Sequence, residues 1–473
     1  MEKQNSGFGS IFGFLMTMIG FAVGVGSLWR FPYICGTNGG ALFIITYVLV
    51  ILLVGIPLLT AEMSMGYCSQ HKAVGAYRAL EKPGSKWHFA GYLHILAGWM
   101  VNAYTVPIYA WVVVYIYRTA SGFFTGMDAA QIAASFDALN ADRLTMFIGA
   151  IISWGLLALV VSRGLESGVE KLSKIMIPAL AVIMVVCIII GLRIPGSEKG
   201  LEFLFTPNPD NFSFSSFASA LGQAFFAIGI GMLASMVFGS CIQKKGENLL
   251  KDCSIISVSI ILAGVFAGLM IFPICFAFDL EPAAGVSLSL ITLPNAFNAV
   301  AGGRIIGTVF YVGFFFAAFS SSISMAEAVV HALMELLNCS RSKALVITLI
   351  GDVVIGSVSI LSLDLFDKMD IFTCNYLVVI GAFVISIFCG WIWKADNFLD
   401  AANVRHPFAR AWLKICVIFI LISSYFHNSD AESDVFFISS PMFFHLIVFI
   451  IAHAFGKINH FFIFQQIPTN FLS

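Results

Sequence analysis

The chain has 473 residues, 59% hydrophobic and 11% charged, with a net charge of −1 and a mean hydropathy of +0.94. Soluble domains carry about 25% charge, so this balance excludes a soluble globular protein, and the near-zero net charge argues against nucleic acid as a partner. It describes an integral membrane protein whose main partner is the lipid bilayer.

Apolar stretches long enough to cross the hydrocarbon core as helices run near 11–36, 41–68, 90–122, 144–162, 170–192, 213–240, 252–277, 304–337, 343–362, 371–394, 410–426 and 435–455. His445 and His453 dilute the last of these. The first stretch is too patterned to read as a discarded signal peptide. With the N-terminus inside, the loops at 72–86, 163–174, 244–251, 341–343 and 394–414 and the two tails hold 18 of the 25 Lys and Arg. The opposite loops hold 6, and Arg30 lies within a span. That asymmetry places both termini in the cytoplasm, with the chain in the cell (inner or plasma) membrane. Ten Cys lack any C-x-x-C pair and sit mostly in apolar spans, so they are expected as small buried hydrophobes rather than disulfides or metal ligands.

Two spans are interrupted alike. GFAVGVGSLWRFP (20–32) puts three glycines, Arg30 and Pro32 into the first span, and GQAFFAIGIGML (222–233) puts Gly222, Gly229 and Gly231 into the sixth. A helix broken in lipid survives only where the break lines a cavity or is buried in protein. Its freed carbonyls can then bind a cation, and its helix N-termini an anion. Paired interruptions five spans apart point to a transport site between two inverted halves.

Further ordered motifs accompany them: NGG (38–40), GIPLLTAEMSMG (55–66), AGW (97–99), Trp111, ESGVEKLSKIMIP (166–178), IPGSEKGLEFLFTP (194–207), ITLP (291–294), AGG (301–303), AFSSSISMAEAVV (318–330) and FDKMD (366–370). Through this set, over about residues 8–425, the chain resembles the neurotransmitter:sodium symporter family, which includes bacterial amino-acid transporters. The resemblance implies an all-α membrane protein of about 12 transmembrane helices in one transporter domain (1–473). It implies two inverted five-helix repeats (8–192 and 213–394) with broken first and sixth helices, then peripheral helices (410–455) and a tail (456–473). It implies no covalent chemistry, no organic cofactor and a small-molecule substrate, and it allows a homodimer.

Residue by residue, the resemblance places sodium in a second site formed by Gly20, Val23, Ala317, Ser320 and Ser321. These are carbonyl and hydroxyl oxygens suited to a hard cation. The first sodium site is degenerate: Ser27, Ala227 and Ser259 stand where the family carries Asn, Thr and Asn, beside Ala22. One coupled sodium ion is therefore expected instead of two. Ala263 replaces the family's chloride-linked residue, so chloride is not expected.

For the substrate, the resemblance brings in the backbone of Ala22, Gly24, Val25 and Gly26. Thr105 or Tyr104 would supply the hydroxyl, and Phe226, Gly229, Met232, Ser321 and Met325 the side-chain pocket. That pocket is apolar and shows no carboxylate, which suits a neutral, mostly hydrophobic amino acid or similar solute. Phe21 replaces an Asn of the first break. Arg30 and Asp370 match an outer gate, Glu62 a support for the broken helices, Glu327 lies in the exit path, and Glu335 matches the acid of an inner gate. The inner gate's Arg and Trp are replaced by Asn5 and Phe8, with Lys3 the nearest cation. Its closure is expected to be weak and the resting state inward-open. A transporter-like sensor that binds without transport, and a proton-coupled or exporting variant using Glu62 or Glu327, remain the alternatives.

Overall fold

The computed structural model describes residues 7–209, 212–242, 246–280 and 288–425, and within them every regular element is a helix. Nine helices among the described residues are long and apolar enough to cross a membrane: Ile11–Thr37, Ala41–Ser69, Trp87–Ser121, Arg143–Ser162, Leu165–Gly191, Leu249–Ala277, Gly303–Leu336, Arg341–Leu361 and Leu363–Ile392. Between the fifth and seventh spans a sixth is present as two pieces, Phe214–Ile228 and Ala234–Ser240. An eleventh helix follows at Pro407–Tyr425. The stretch at 435–455 and the tail lie outside the described residues.

Local chemistry sets the helix ends. Ser10 accepts from the Gly13 N–H at 3.0 Å, Asp142 from Thr145 at 3.1 Å and Asn248 from Lys251 at 3.1 Å, each satisfying an orphan donor of a first turn. The third span, expected as one piece, is instead two helices, Ala90–Tyr104 and Val106–Ser121. Pro107 has no N–H to give the Ala103 carbonyl, which accepts from Thr105 instead. Short helices that cross nothing (Ala129–Ala141, Glu198–Phe205) occupy loops where no apolar span is legible.

Burial sorts the spans into layers. In the most apolar window of the first span 76% of residues are buried, against 33% in the fifth. The first span is thus an inner helix, while the fifth turns much of its surface outward. Ile151, Val182 and Val354 are more than half exposed, as lipid-facing side chains of an outer layer are. The eighth span, Gly303–Leu336, packs against the first, third, fifth and ninth and forms the central post.

Helices Ile56–Ser69 and Ala234–Ser240 touch backbone to backbone: a Cβ on Gly66 would strike the Met236 carbonyl, and one on Gly239 the Met63 carbonyl. Gly155 faces open space. Gly66→Ala and Gly239→Ala should each cost roughly 1–3 kcal/mol by overpacking and lower the melting midpoint of the purified protein, whereas Gly155→Ala should not lower it. Equal midpoints for all three would show that the contact is not tight.

Candidate functional site

The sixth span is broken by backbone conformation. Gly229 (φ +73°), Gly231 (φ +78°) and Leu233 (φ +77°) are all left-handed, a region that disfavours side chains and makes glycine the natural occupant. The peptide groups so freed find buried partners. The Gly231 N–H donates to Glu62 Oε2 at 3.1 Å, and the Gly231 carbonyl lies 2.9 Å from His94 Nδ1. A carbonyl only accepts, so Nδ1 carries the proton and Nε2 is left to accept from the Tyr77 hydroxyl at 2.8 Å. Glu62 and His94 thus pin the two successive peptides on either side of the Gly231 Cα. Glu62 matches the supporting role the resemblance implied, while His94 is a partner no motif announced.

The first span departs from α geometry at Gly24 (ψ −118°), and Gly24–Arg30 is a π-helical segment, so the interruption expected there takes the form of a widened turn. The eighth span meets it with hydroxyls. Ser320 Oγ lies 2.9 Å from the carbonyl oxygens of both Gly20 and Ala317. Ser321 Oγ lies 2.6 Å from Phe21 O and 3.3 Å from Gly20 O. Two hydroxyl protons therefore face three carbonyl oxygens, a surplus of acceptors in a buried place. A neutral, all-oxygen cluster of this kind can hold a hard monovalent cation without a buried carboxylate. Glycine is required at Gly24, where a Cβ would collide with Ser321 Oγ and sit 2.5 Å from the Ala317 carbonyl. Val23, the last α-helical residue, stands one turn beyond Gly20.

Beside this cluster is a cavity. Of the residues expected at the substrate site, Ala22, Gly26, Thr105, Phe226, Met232, Ser321 and Met325 line it. Phe21, Val101, Asn102, Tyr109 and Ser322 line it too, and of these only Phe21 was singled out beforehand. Tyr109 enters from the turn after Thr105, and the two hydroxyl oxygens are 2.9 Å apart. The i, i+4 spacing of Val101, Thr105 and Tyr109 was the available signal. Gly24 and Val25 contribute backbone to the π-helical turn. Gly229 stands behind the wall, because the Phe21 ring packs on it.

Two expectations are corrected. Tyr104 does not enter the cavity: its hydroxyl donates to Asp370 Oδ1 at 2.7 Å. Ser259 bonds back to the Ile255 carbonyl at 2.8 Å and shares a helix face with the exposed Ile255, Val258 and Leu262, so it faces away from the break. Ser27, in contrast, is fully buried with no hydrogen-bond partner for its hydroxyl, and Ala227 lies against Gly26. Glu335 accepts from the Lys72 N–H at 3.1 Å and pairs with His71 Nδ1 at 3.2 Å. No carboxylate among the described residues lines the cavity, and behind the lining Asp352 accepts from Asn102 Nδ2 at 2.9 Å.

Side chains pack at both ends of the cavity. At one end Arg30 and Asp370 are 3.8 Å apart, and the Arg30 guanidinium lies 4.9 Å from the Phe226 ring centre. Arg30 also donates to Gln223, which in turn donates to the Gly26 carbonyl at 2.8 Å, so the gate is tied to the first break. At the other end Phe8 packs edge-on against Phe14 and Phe238, and its N–H donates to the Cys241 carbonyl at 3.4 Å. Glu170, buried, accepts from the Gly9 N–H at 2.8 Å and from Ser10 Oγ at 3.1 Å while pairing with Lys174 at 2.6 Å. Phe8 and Glu170 thus fasten the start of the first span, where the family's Arg and Trp are missing. Lys3 and Asn5 lie outside the described residues. Glu327 is held by His331 Nε2 at 3.0 Å and by Arg341. The ten cysteines are all free, eight of them buried.

The model of the sodium:neurotransmitter symporter family matches residues 6–125 and 118–427. The chain is 32% identical over 398 residues to an uncharacterized sodium-dependent transporter, YhdH, of Bacillus subtilis, covering 82% of this chain and 88% of that one. It is 30% identical over 424 residues to an uncharacterized sodium-dependent transporter of Methanocaldococcus jannaschii, covering 85% of each. Among solved structures, MhsT in complex with L-phenylalanine superposes with a TM-score of 0.82 at 28% identity, covering 88% of this chain and 97% of that one.

Tyr104→Phe keeps the ring but removes a hydrogen bond to a charged gate residue, a change of about 1.5 kcal/mol or more. Cys374, 3.3 Å from that hydroxyl, reports on it. A membrane-impermeant thiol reagent should label Cys374 about tenfold faster in Tyr104→Phe than in the parent chain, measured by mass spectrometry of the labelled peptide. Unchanged labelling would remove Tyr104 from the gate.

Proposed function

This chain belongs to the sodium:neurotransmitter symporter family, whose members are membrane transporters and not enzymes, and on that premise we propose that it couples one sodium ion to the import of a neutral, hydrophobic amino acid. The observation that carries the proposal is the double engagement of Ser321. Its hydroxyl faces the carbonyls of Gly20 and Phe21, and the same residue lines the cavity. An ion held among Gly20, Val23, Ala317, Ser320 and Ser321 draws the first span onto the eighth and completes the cavity wall. Ion and substrate then favour the same state, which is coupling by differential binding.

The cavity chemistry supports the substrate class. Phe21, Val101, Phe226, Met232 and Met325 supply an apolar wall in which methionine can repack around different shapes. The Thr105–Tyr109 hydroxyl pair and the backbone of Gly24–Gly26 suit a carboxylate. MhsT's complex with L-phenylalanine makes that amino acid the first probe. One ion per cycle fits the lipid-facing Ser259, the loss of an amide oxygen at Ser27 and the loss of a hydroxyl at Ala227, and no chloride requirement fits Ala263. In this reading residues 8–192 and 213–394 are the inverted repeats, residues 410–455 are peripheral, and both termini face the cytoplasm of the cell membrane. Pairing of Glu327 with His331 and Arg341 favours a structural role for that acid over a proton relay.

Purified protein in proteoliposomes should accumulate radiolabelled L-phenylalanine or L-leucine only with an inward sodium gradient, with a Hill coefficient near one and no effect of replacing chloride. Accumulation driven by a pH gradient without sodium, or binding with no accumulation, would overturn the proposal. Ser321→Ala should raise the half-saturating sodium concentration about tenfold or more. Ser27→Ala should leave the Hill coefficient unchanged; a parent value clearly above one that Ser27→Ala abolishes would establish two coupled ions.

A further inference from the structure

Asp352 sits in the middle of the ninth span, Arg341–Leu361, and is 1% exposed. One carboxyl oxygen, Oδ2, accepts from Asn102 Nδ2 at 2.9 Å, and the other, Oδ1, has no hydrogen-bond partner. The nearby Trp99 indole N–H is directed to the Thr348 carbonyl at 3.2 Å. Oδ1 therefore receives no donor.

The carboxyl opens into a small side cavity. Val106, Trp154, Leu157 and Phe319 make its apolar wall. Its hydroxyl groups are committed: Ser153 Oγ to the Gly149 carbonyl at 2.9 Å, Ser322 Oγ to Asn102 Oδ1 at 2.8 Å, and Tyr109 Oη to Thr105. Too few free oxygens remain to coordinate a metal cation. Among the groups lining this cavity from the third, fourth and eighth spans, the one titratable side chain besides Asp352 is Tyr109, and no cation is present. An ionised carboxylate here would be an uncompensated buried charge, the costliest arrangement available inside a membrane.

The side cavity shares Asn102, Tyr109 and Ser322 with the substrate cavity. Asn102 joins the two directly, because it holds Ser322 on one side and Asp352 on the other.

We propose that Asp352 is a proton-binding site, which carries its proton on Oδ1 while the substrate cavity is closed and exchanges it with water that enters the cavity when it opens. On opening, the O–H bond of the acid breaks, the proton passes to cavity water and the carboxylate is hydrated; on closing, the proton returns to Oδ1 as the water leaves. The consequence for transport, a pH-dependent bias on the closed state, rests on the symport reading above. The measurement does not.

Infrared difference spectra of the purified full-length protein, recorded on stepping from mildly acidic to alkaline buffer without substrate, should contain a protonated-carboxyl C=O band. Asp352→Asn should remove that band, and Asn102→Leu, which deletes the Asn102 hydrogen bond to the acid, should shift its frequency. Identical carboxyl bands in the parent and Asp352→Asn would overturn the proposal. If Asp352→Asn does not fold, an unmoved band in Asn102→Leu would overturn it alone. Uptake is not read, so a failure of sodium-driven amino-acid accumulation would leave this result standing, and the reverse also holds.

Discussion

A peptide group freed from its helix inside a membrane has no water to turn to, and this protein is organised around satisfying a few such groups. At the first span the carbonyls of Gly20 and Phe21 are met by Ser320 and Ser321 of the central eighth span. At the sixth, the two peptides flanking the Gly231 Cα are held by Glu62 and His94. The two solutions differ in a way that bears on function. The Gly231 N–H and carbonyl are each matched donor to acceptor and make a fixed anchor. The cluster around Gly20 has more acceptors than protons, and the proposed ion would make up the difference.

The contacts at the two ends of the cavity bear on the same segment. Arg30, at the end of the π-helical turn, reaches Asp370, the face of Phe226 and, through Gln223, the Gly26 carbonyl. The outer gate therefore stands directly on the segment that the eighth span's serines hold. At the other end, Phe8 and the Glu170 clamp fasten the start of the first span. Closing either end is thus a matter of where the first span sits, and the side chains that decide this are bonded to its backbone or packed on it.

The spans were legible in the sequence because runs of about 20 apolar residues have few other fates, and the two interrupted ones because glycine clusters inside such runs are costly unless used. Gly20, Ser320 and Ser321 could be located for the same reason, since a motif fixes backbone and hydroxyl positions together. Side-chain direction could not be read. Tyr104 and Thr105 are adjacent, yet one turns to the gate and the other to the cavity. Matching by position put Ser259 in an ion site, whereas its helix rotation gives it to the lipid side. Tyr109, His94, Asn102 and Asp352 lay in segments with no distinctive spacing, and only the packing of separate spans brought them to the site. The fastening of the first span's start by Glu170 was hidden for the same reason, because that acid comes from the fifth span.

The central claim is that sodium binds across the first and eighth spans and holds them together. Hydrogen–deuterium exchange of the backbone amides, in sodium compared with potassium at equal ionic strength, tests it most directly. The account predicts that sodium slows exchange at residues 18–30 and at residues 316–325 together, and that Ser321→Ala abolishes both effects. Sodium protection confined to other parts of the chain, or no difference between the two ions, would contradict it.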